Sequence, residues 1–160
     1  MKLQSSVLFV RDIEISEKFY TSVLKEKLKH DFGTNKVFES GLALWQLRED
    51  HIIAKVCKNT TSVSGNSFEL YYETENFEAT LNHIGQFEIE YLHKTQTEAW
   101  GQQTLRFFDP DSHLIEIGET LHAFVGRMYI QDVSIKDISS RTHIPICTVE
   151  ALLQEIATKK

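Results

Sequence analysis

Cysteine, proline and glycine are scarce in this chain, and each shortage excludes a class of protein. Among the 160 residues there are two Cys, two Pro and seven Gly. Cys57 and Cys147 cannot form a disulfide scaffold or a four-thiolate zinc site, and we expect both thiols to stay reduced in the cytoplasm. So few Gly and Pro exclude collagen-like and linker-rich chains. With 41% hydrophobic residues, a chain of this length can bury a core without covalent staples.

Long hydrophobic runs and an excess of basic residues are also lacking. No apolar run approaches the roughly 20 residues that a membrane span needs, and residues 1–10 lack the small-residue cleavage site of a signal peptide. The formal net charge is −6. This balance disfavours nucleic acid as a partner, because binding to phosphates needs a basic patch. The expected class is therefore a soluble cytoplasmic protein without a membrane segment.

One order of predicted elements occurs twice along the chain. Residues 5–47 and again residues 68–119 show the pattern of a strand, a helix and three further strands. Such a repeat predicts pseudo-symmetry and a shared site. We therefore expect an α+β protein with two βαβββ modules, residues 1–61 and 67–120, and a polar linker at residues 60–66.

The last part of the chain, residues 121–160, differs from the rest. The excess of acidic residues lies entirely before it, so this part is close to neutral. Helices are predicted over residues 121–130, 135–142 and 149–157. The last two resemble the paired helices of helix-turn-helix domains, but their weak charge argues against contacts with DNA. We expect them to pack on the modules or on a partner chain.

Polar residues just before helical patterns predict where four helices begin. Side-chain oxygens at such positions accept hydrogen bonds from the first free backbone N–H groups of a helix. The predicted N-caps are Asp12, Asn76, Ser134 and Thr148.

Two motifs resemble those of a known superfamily. The first runs from Val10-x-Asp12-Ile13 to Val23-Leu24, and the second combines Trp100-Gly101, Asp109-Pro110-Asp111 and Ile115-Glu116. They are similar to the opening βα unit and the closing β-hairpin of the vicinal oxygen chelate superfamily. That group includes glyoxalase I, extradiol dioxygenases, fosfomycin-modifying enzymes and bleomycin-binding proteins. Ser112 stands where the hairpin usually has Gly.

The resemblance implies a cupped mixed sheet made of two modules, often assembled as a homodimer. The cup would hold a small organic ligand and, in many members, one divalent metal. The positions that match the superfamily's metal ligands carry Ser5, Gln46 (or Trp45), Glu69 and Glu116. Without histidine or thiolate this set suits zinc, nickel or iron poorly, whereas two carboxylates could hold magnesium or manganese weakly.

The resemblance also implies roles for particular side chains. Glu116 and Glu69 are the candidate catalytic carboxylates, and Arg106 is a candidate partner that neutralises one of them. The alternative is that each carboxylate is an ordinary strand residue, solvated or in a salt bridge. The candidate ligand-binding residues are Ser5, Gln46, Trp45, Tyr71, Trp100, Arg106 and Phe108.

Three hypotheses about function follow. The first is a small-molecule-binding protein of the glyoxalase/bleomycin resistance type that lacks the usual histidine-based metal site. The second is a lyase, transferase or dioxygenase-like enzyme that uses Glu116 and Glu69 with a divalent metal. The third is an interaction or regulatory protein that acts through the helices of residues 121–160. A shared fold does not decide among them, because function depends on the site.

Overall fold

A computed structural model describes residues 2–56 and 68–158 of the chain. The predicted linker at residues 60–66 and Cys57 lie outside the described residues. The chain forms two compact units. The first comprises Met1–Glu69 with Phe108–Leu114, and the second comprises Leu70–Phe107 with Ile115–Lys160.

The first unit is a four-stranded mixed sheet with a helix on one side. Its strands follow the order β1-β4-β3-β2, with β1 and β4 parallel and the other pairs antiparallel. Helix α1 buries Ile13, Ser16 and Tyr20, spaced three and four residues apart as on one helical face. The elements are β1 (Ser6–Phe9), α1 (Ile13–Ser22), β2 (Leu28–Asp31), β3 (Asn35–Phe38), β4 (Leu42–Trp45) and the short α2 (Ile52–Val56).

The second unit repeats this topology. Its sheet has the order β5-β8-β7-β6, in which the first strand again lies parallel to the last. The repeated order confirms the predicted α+β fold with two βαβββ modules. The elements are β5 (Leu70–Thr74), α3 (Phe77–Ile84), β6 (Tyr91–Thr97), β7 (Gln103–Phe108) and β8 (Leu114–Glu119).

Three helices follow the second sheet, as predicted: α4 (Leu121–Ile130), α5 (Ile135–Thr142) and α6 (Ile146–Thr158). They share an apolar core formed by Phe124, Val125, Met128, Ile138, Val149 and Leu152. None of the helices in the described part of the chain combines the length and the apolar character needed to cross a membrane.

Three of the four predicted N-caps are confirmed. The side chains of Asp12, Asn76 and Ser134 each accept a hydrogen bond from a backbone N–H in the first turn of their helix. The prediction for Thr148 is wrong, because the Pro145 carbonyl accepts from the N–H groups of Thr148 (2.9 Å) and Val149 (3.1 Å). Helix α6 therefore begins directly after the proline, and Thr148 lies inside its first turn.

The turn between β7 and β8 belongs to the first unit, where it packs against helix α1. The Asp109 carboxylate accepts from the Tyr20 hydroxyl at 2.8 Å, and Asp111 accepts from the Ser16 hydroxyl at 2.9 Å. Ser112 adopts the left-handed conformation, with φ of 68°, that the superfamily's usual glycine adopts more easily. The two motifs behind the resemblance are thus joined by hydrogen bonds.

Candidate functional site

Strand alternation places a set of polar side chains on one face of the second sheet. Tyr71 of β5 is paired with Glu116 of β8, and Glu73 is paired with Gly118 two residues further on. Gln102 and Arg106 join them, because Gln102 bonds to Tyr71 and Arg106 pairs with Glu116. We call this surface the polar face; it is defined by Tyr71, Glu73, Gln102, Arg106 and Glu116.

Arg106 lies between two carboxylates on the polar face. Its Nη2 pairs with Glu116, which is only 4% exposed, and its Nη1 donates to Glu98 at 2.8 Å. The Thr104 hydroxyl also donates to Glu98, at 3.0 Å. The hydrogen bond from Arg106, helped by that from Thr104, holds the pKa of Glu98 below its usual range despite partial burial. One guanidinium is therefore shared by two carboxylates.

His93 completes this cluster and leaves one buried atom without a partner. Its Nε2 lies 3.1 Å from Arg106 Nη1. Because arginine only donates, Nε2 must accept, and the proton of the neutral ring is therefore assigned to Nδ1. Nδ1 is buried and has no hydrogen-bond partner among the described residues. Such an unpaired donor is costly, which marks the cluster as a functional candidate.

A hydrogen-bonded chain links two aromatic side chains at the edge of the polar face. Trp100 Nε1 donates to Gln102 Oε1 at 3.0 Å, and Gln102 Nε2 donates to the Tyr71 hydroxyl at 2.8 Å. The Tyr71 hydroxyl in turn donates to Glu73 at 3.2 Å. Both rings remain accessible, with Tyr71 47% and Trp100 41% exposed. The amide of Gln102 thus fixes the polar ends of two exposed rings.

Gly118 leaves the space that this chain of hydrogen bonds needs. A Cβ at this position would lie 2.7 Å from Gln102 Nε2 and 3.0 Å from the Tyr71 hydroxyl. The Gln102 amide also donates to the backbone carbonyl of Glu119, at 2.7 Å. Sequence reasoning missed Gln102 and Gly118 as site residues, although Gln102 directly follows the Trp100-Gly101 motif.

Helix α4 holds the turn that carries Trp100. Arg127 donates to both carboxylate oxygens of Glu119, at 2.7 and 2.6 Å, and to the carbonyl of Gly101 at 2.7 Å. Gly101 has a φ of 105°, and a Cβ there would lie 2.8 Å from the sulfur of Met128. The C-terminal helices therefore help to position one of the two exposed rings.

Three of the four candidate metal ligands are bonded to other groups, and the fourth is exposed. The Ser5 hydroxyl donates to the Gly41 carbonyl at 2.7 Å, and Gln46 Oε1 accepts the N–H of Ile13 at 2.9 Å. Glu116 is paired with Arg106, and Glu69 is exposed. Within the described residues, no group of three or more His, Cys, Asp or Glu side chains could hold a metal ion. The donor set therefore does not fit the metal that the superfamily implies.

The predicted site residues are divided between the two units. Tyr71, Trp100, Arg106 and Glu116 lie together in the second unit, on or beside the polar face. The first unit contains Trp45, whose ring lies 6.1 Å from that of Phe9 and 5.1 Å from that of His51. It also contains the other predicted residues: Ser5, Gln46, Glu69 and Phe108.

The family of the chain follows from its sequence as well as its fold. The model of the glyoxalase-like domain family matches residues 3–122. The chain therefore belongs to the glyoxalase-like domain family, within the vicinal oxygen chelate superfamily, as its two motifs predicted. No curated protein matches the chain.

Solved structures with the same fold match about three quarters of this chain. A protein of unknown function from Agrobacterium tumefaciens str. C58 is 33% identical, with a TM-score of 0.65, over 76% of this chain and 95% of its own. A glyoxalase/bleomycin resistance protein/dioxygenase family enzyme from Burkholderia phytofirmans PsJN is 15% identical, with a TM-score of 0.63, over 76% of this chain and 100% of its own. A glyoxalase/bleomycin resistance protein/dioxygenase from Nocardioides is 20% identical, with a TM-score of 0.58, over 74% of this chain and 83% of its own.

Proposed function

We propose that this chain is a small-molecule-binding protein of the glyoxalase/bleomycin resistance type, which binds a small organic ligand on its polar face without a metal ion. The observation that carries the proposal is the pairing of Arg106 with Glu116. The names of the similar proteins from Burkholderia and Nocardioides support the type of protein.

Arg106 gives a physical reason for metal-free binding. Glu116 is the position at which the superfamily supplies its last metal ligand, and here a guanidinium already neutralises that buried carboxylate. A metal ion at Glu116 would compete with Arg106 for that carboxylate, and separating a buried ion pair costs several kcal/mol. Ser5 and Gln46, which occupy two other ligand positions, are bonded to backbone groups of the first unit.

Two further hypotheses from the sequence remain alternatives. A lyase, transferase or dioxygenase-like enzyme would use Glu116 and Glu69, and Glu116→Gln would abolish its turnover while a purely binding protein has none to lose. An interaction protein would act through α4, α5 and α6, and removal of residues 121–160 would abolish partner binding. A homodimer and a cytoplasmic location also stay predictions, the former checked by the mass in solution.

The two tryptophans of the chain allow a direct test of ligand binding. Trp45→Phe leaves Trp100 as the reporter beside the polar face, and Trp100→Phe leaves Trp45 in the first unit as the matched reporter. We expect members of a library of small organic compounds to change the emission of Trp100 in Trp45→Phe. A ligand that changes only Trp45 emission, or no binding at all, would contradict the proposal.

The same titration tests whether a metal takes part. We expect EDTA to leave the Kd unchanged, and magnesium, manganese, nickel or zinc ions to leave the thermal midpoint of the ligand-free protein unchanged. A metal ion that is required for ligand binding, or that raises the thermal midpoint at stoichiometric concentration, would contradict the metal-free proposal.

A further inference from the structure

We infer that the exposed rings of Tyr71 and Trp100 form a platform for a planar, positively charged organic ligand, with Glu73 as its counter-charge. This inference rests on the proposed function, since it names the ligand class of the polar face. Three features of the second unit support it. The polar groups of the two rings are hydrogen-bonded within the protein, the surrounding charge is negative, and other side chains hold the rings in position.

The polar ends of the two rings are already used within the protein. The indole N–H of Trp100 is donated to Gln102, and the Tyr71 hydroxyl accepts from Gln102 and donates to Glu73. Burial, more than the nearby Glu73, raises the pKa of Tyr71 above its ordinary value. The two side chains therefore offer a ligand their ring faces rather than hydrogen bonds. Such faces favour flat apolar groups and, through their electron-rich π systems, cations.

The charges on the polar face favour a positive ligand. Arg106 is shared by Glu98 and Glu116, so among the described residues of that cluster one carboxylate is in excess. Glu73 adds a further carboxylate, which is exposed and touches the hydroxyl of Tyr71. An anionic ligand would meet this excess of like charge, because the Arg106 guanidinium is already paired with Glu98 and Glu116.

The platform is held in place before any ligand arrives. Gln102 is fixed by Trp100, Tyr71 and the carbonyl of Glu119, and the absence of a side chain at Gly118 leaves room for these bonds. Arg127 donates a hydrogen bond to the carbonyl of Gly101, the residue after Trp100. Binding to prepositioned rings loses little side-chain entropy, so flat ligands can bind through ring contacts alone.

Two dyes of opposite charge test the ligand class in the Trp45→Phe background, where Trp100 is the reporter. Proflavine is a planar cation, and 8-anilinonaphthalene-1-sulfonate is an aromatic anion. We expect proflavine to quench Trp100 with saturation, and the anion to bind at least about 10-fold more weakly. Because charge contributes to recognition, 0.5 M sodium chloride should weaken the binding of proflavine.

Four variants assign the binding to the platform. Glu73→Gln should weaken proflavine binding by about 3- to 10-fold, whereas the matched control Glu78→Gln, an exposed carboxylate in the first turn of α3, should leave it unchanged. Tyr71→Leu should weaken binding by at least about 10-fold, and Tyr71→Phe, which retains the ring, should stay within about 3-fold. Circular dichroism and thermal unfolding verify that each variant is folded.

The outcomes separate this inference from the proposed function. Equal effects of Glu73→Gln and Glu78→Gln would overturn the inference, because the cation would then respond only to the overall negative charge. Tighter binding of the anionic dye at Trp100 would also overturn the ligand class, while the binding role of the polar face would stand. If no small molecule perturbs Trp100, both the inference and the proposed function fail.

Discussion

Asp109 connects the closing turn to helix α1 through the hydrogen bonds of one buried carboxylate. It accepts from the hydroxyl of Tyr20 and from the ring Nδ1 of His113, both at 2.8 Å. It also accepts the backbone N–H groups of Asp111 and His113, at 2.9 and 2.8 Å. The Asp-Pro-Asp motif therefore has a structural role in this chain, since a buried carboxylate is stable only when donors surround it.

Removal of one of these donors should destabilise the fold. Tyr20 is fully buried, and Tyr20→Phe removes only the hydroxyl that donates to Asp109. We expect the free energy of unfolding to fall by about 1–3 kcal/mol, measured by urea denaturation. The control Tyr129→Phe, at a tyrosine that is 51% exposed, should change it by less than about 0.5 kcal/mol. Equal effects of the two substitutions would argue against this role of Tyr20.

At the scale of single residues, the sequence named several side chains that lie on or beside the polar face. It named Arg106 as a possible partner of a carboxylate, and Tyr71 and Trp100 as ligand-binding candidates. It could not name Gln102, because an amide has no chemical signature until two other side chains are seen to meet it. The roles of Glu69, Phe108 and the other candidates in the first unit stay predictions.

Among the elements, helix α4 connects the C-terminal helices to the second sheet. Arg127 forms a bidentate ion pair with Glu119, a carboxylate that is only 3% exposed. It also donates to the backbone carbonyl of Gly101. The family match ends at residue 122, so Arg127 lies beyond it, whereas its partners Glu119 and Gly101 lie within it.

Loss of this ion pair should affect both stability and the turn that carries Trp100. Arg127→Met would leave Glu119 buried without its cation. We therefore expect the free energy of unfolding to fall by about 3–5 kcal/mol. In the Trp45→Phe background the emission of Trp100 should also shift, because its turn loses the bond to Gly101. Arg141→Met, which removes an exposed arginine of α5, serves as the control. An unchanged Trp100 spectrum would contradict the positioning role of α4.

For the whole molecule, the Arg106 cluster predicts a dependence of stability on pH. The pKa of Glu98 is held below its usual range in the folded state, first by the hydrogen bond from Arg106. A carboxyl with a lowered folded pKa stabilises the protein above its unfolded pKa, and this contribution is lost as pH falls through the folded value. Stability should therefore decline as pH falls below about 4.5.

The free energy of unfolding, measured by urea denaturation between neutral pH and about pH 3, checks this dependence. Its slope against pH reports the difference in bound protons between the unfolded and folded states. Glu98→Gln should flatten the acid side of the profile, because the variant has no carboxyl to protonate at that position. Glu78→Gln should retain the slope of the parent protein. A profile unchanged by Glu98→Gln would mean that this carboxyl is not linked to folding.

By itself, the sequence determined the two modules, their order of elements and the family. These features depend on local patterns: apolar periodicity, capping residues such as Asp12 and Asn76, and the turn at Asp109-Pro110-Asp111. Even locally, one feature was misassigned, since Pro145 rather than Thr148 accepts the first hydrogen bonds of α6.

Only the tertiary structure decided which side chains meet. Glu116 lies against Arg106 because their strands carry both side chains to the same face of the sheet, and Tyr71 meets Gln102 across 31 positions of the chain. Partners this far apart leave no local pattern, because their separation reflects the path of the backbone. The scarcity of cysteine excluded a four-thiolate zinc site. Only the folded chain shows that Ser5, Gln46 and Glu116, which match positions of the superfamily's metal ligands, are bonded to other groups.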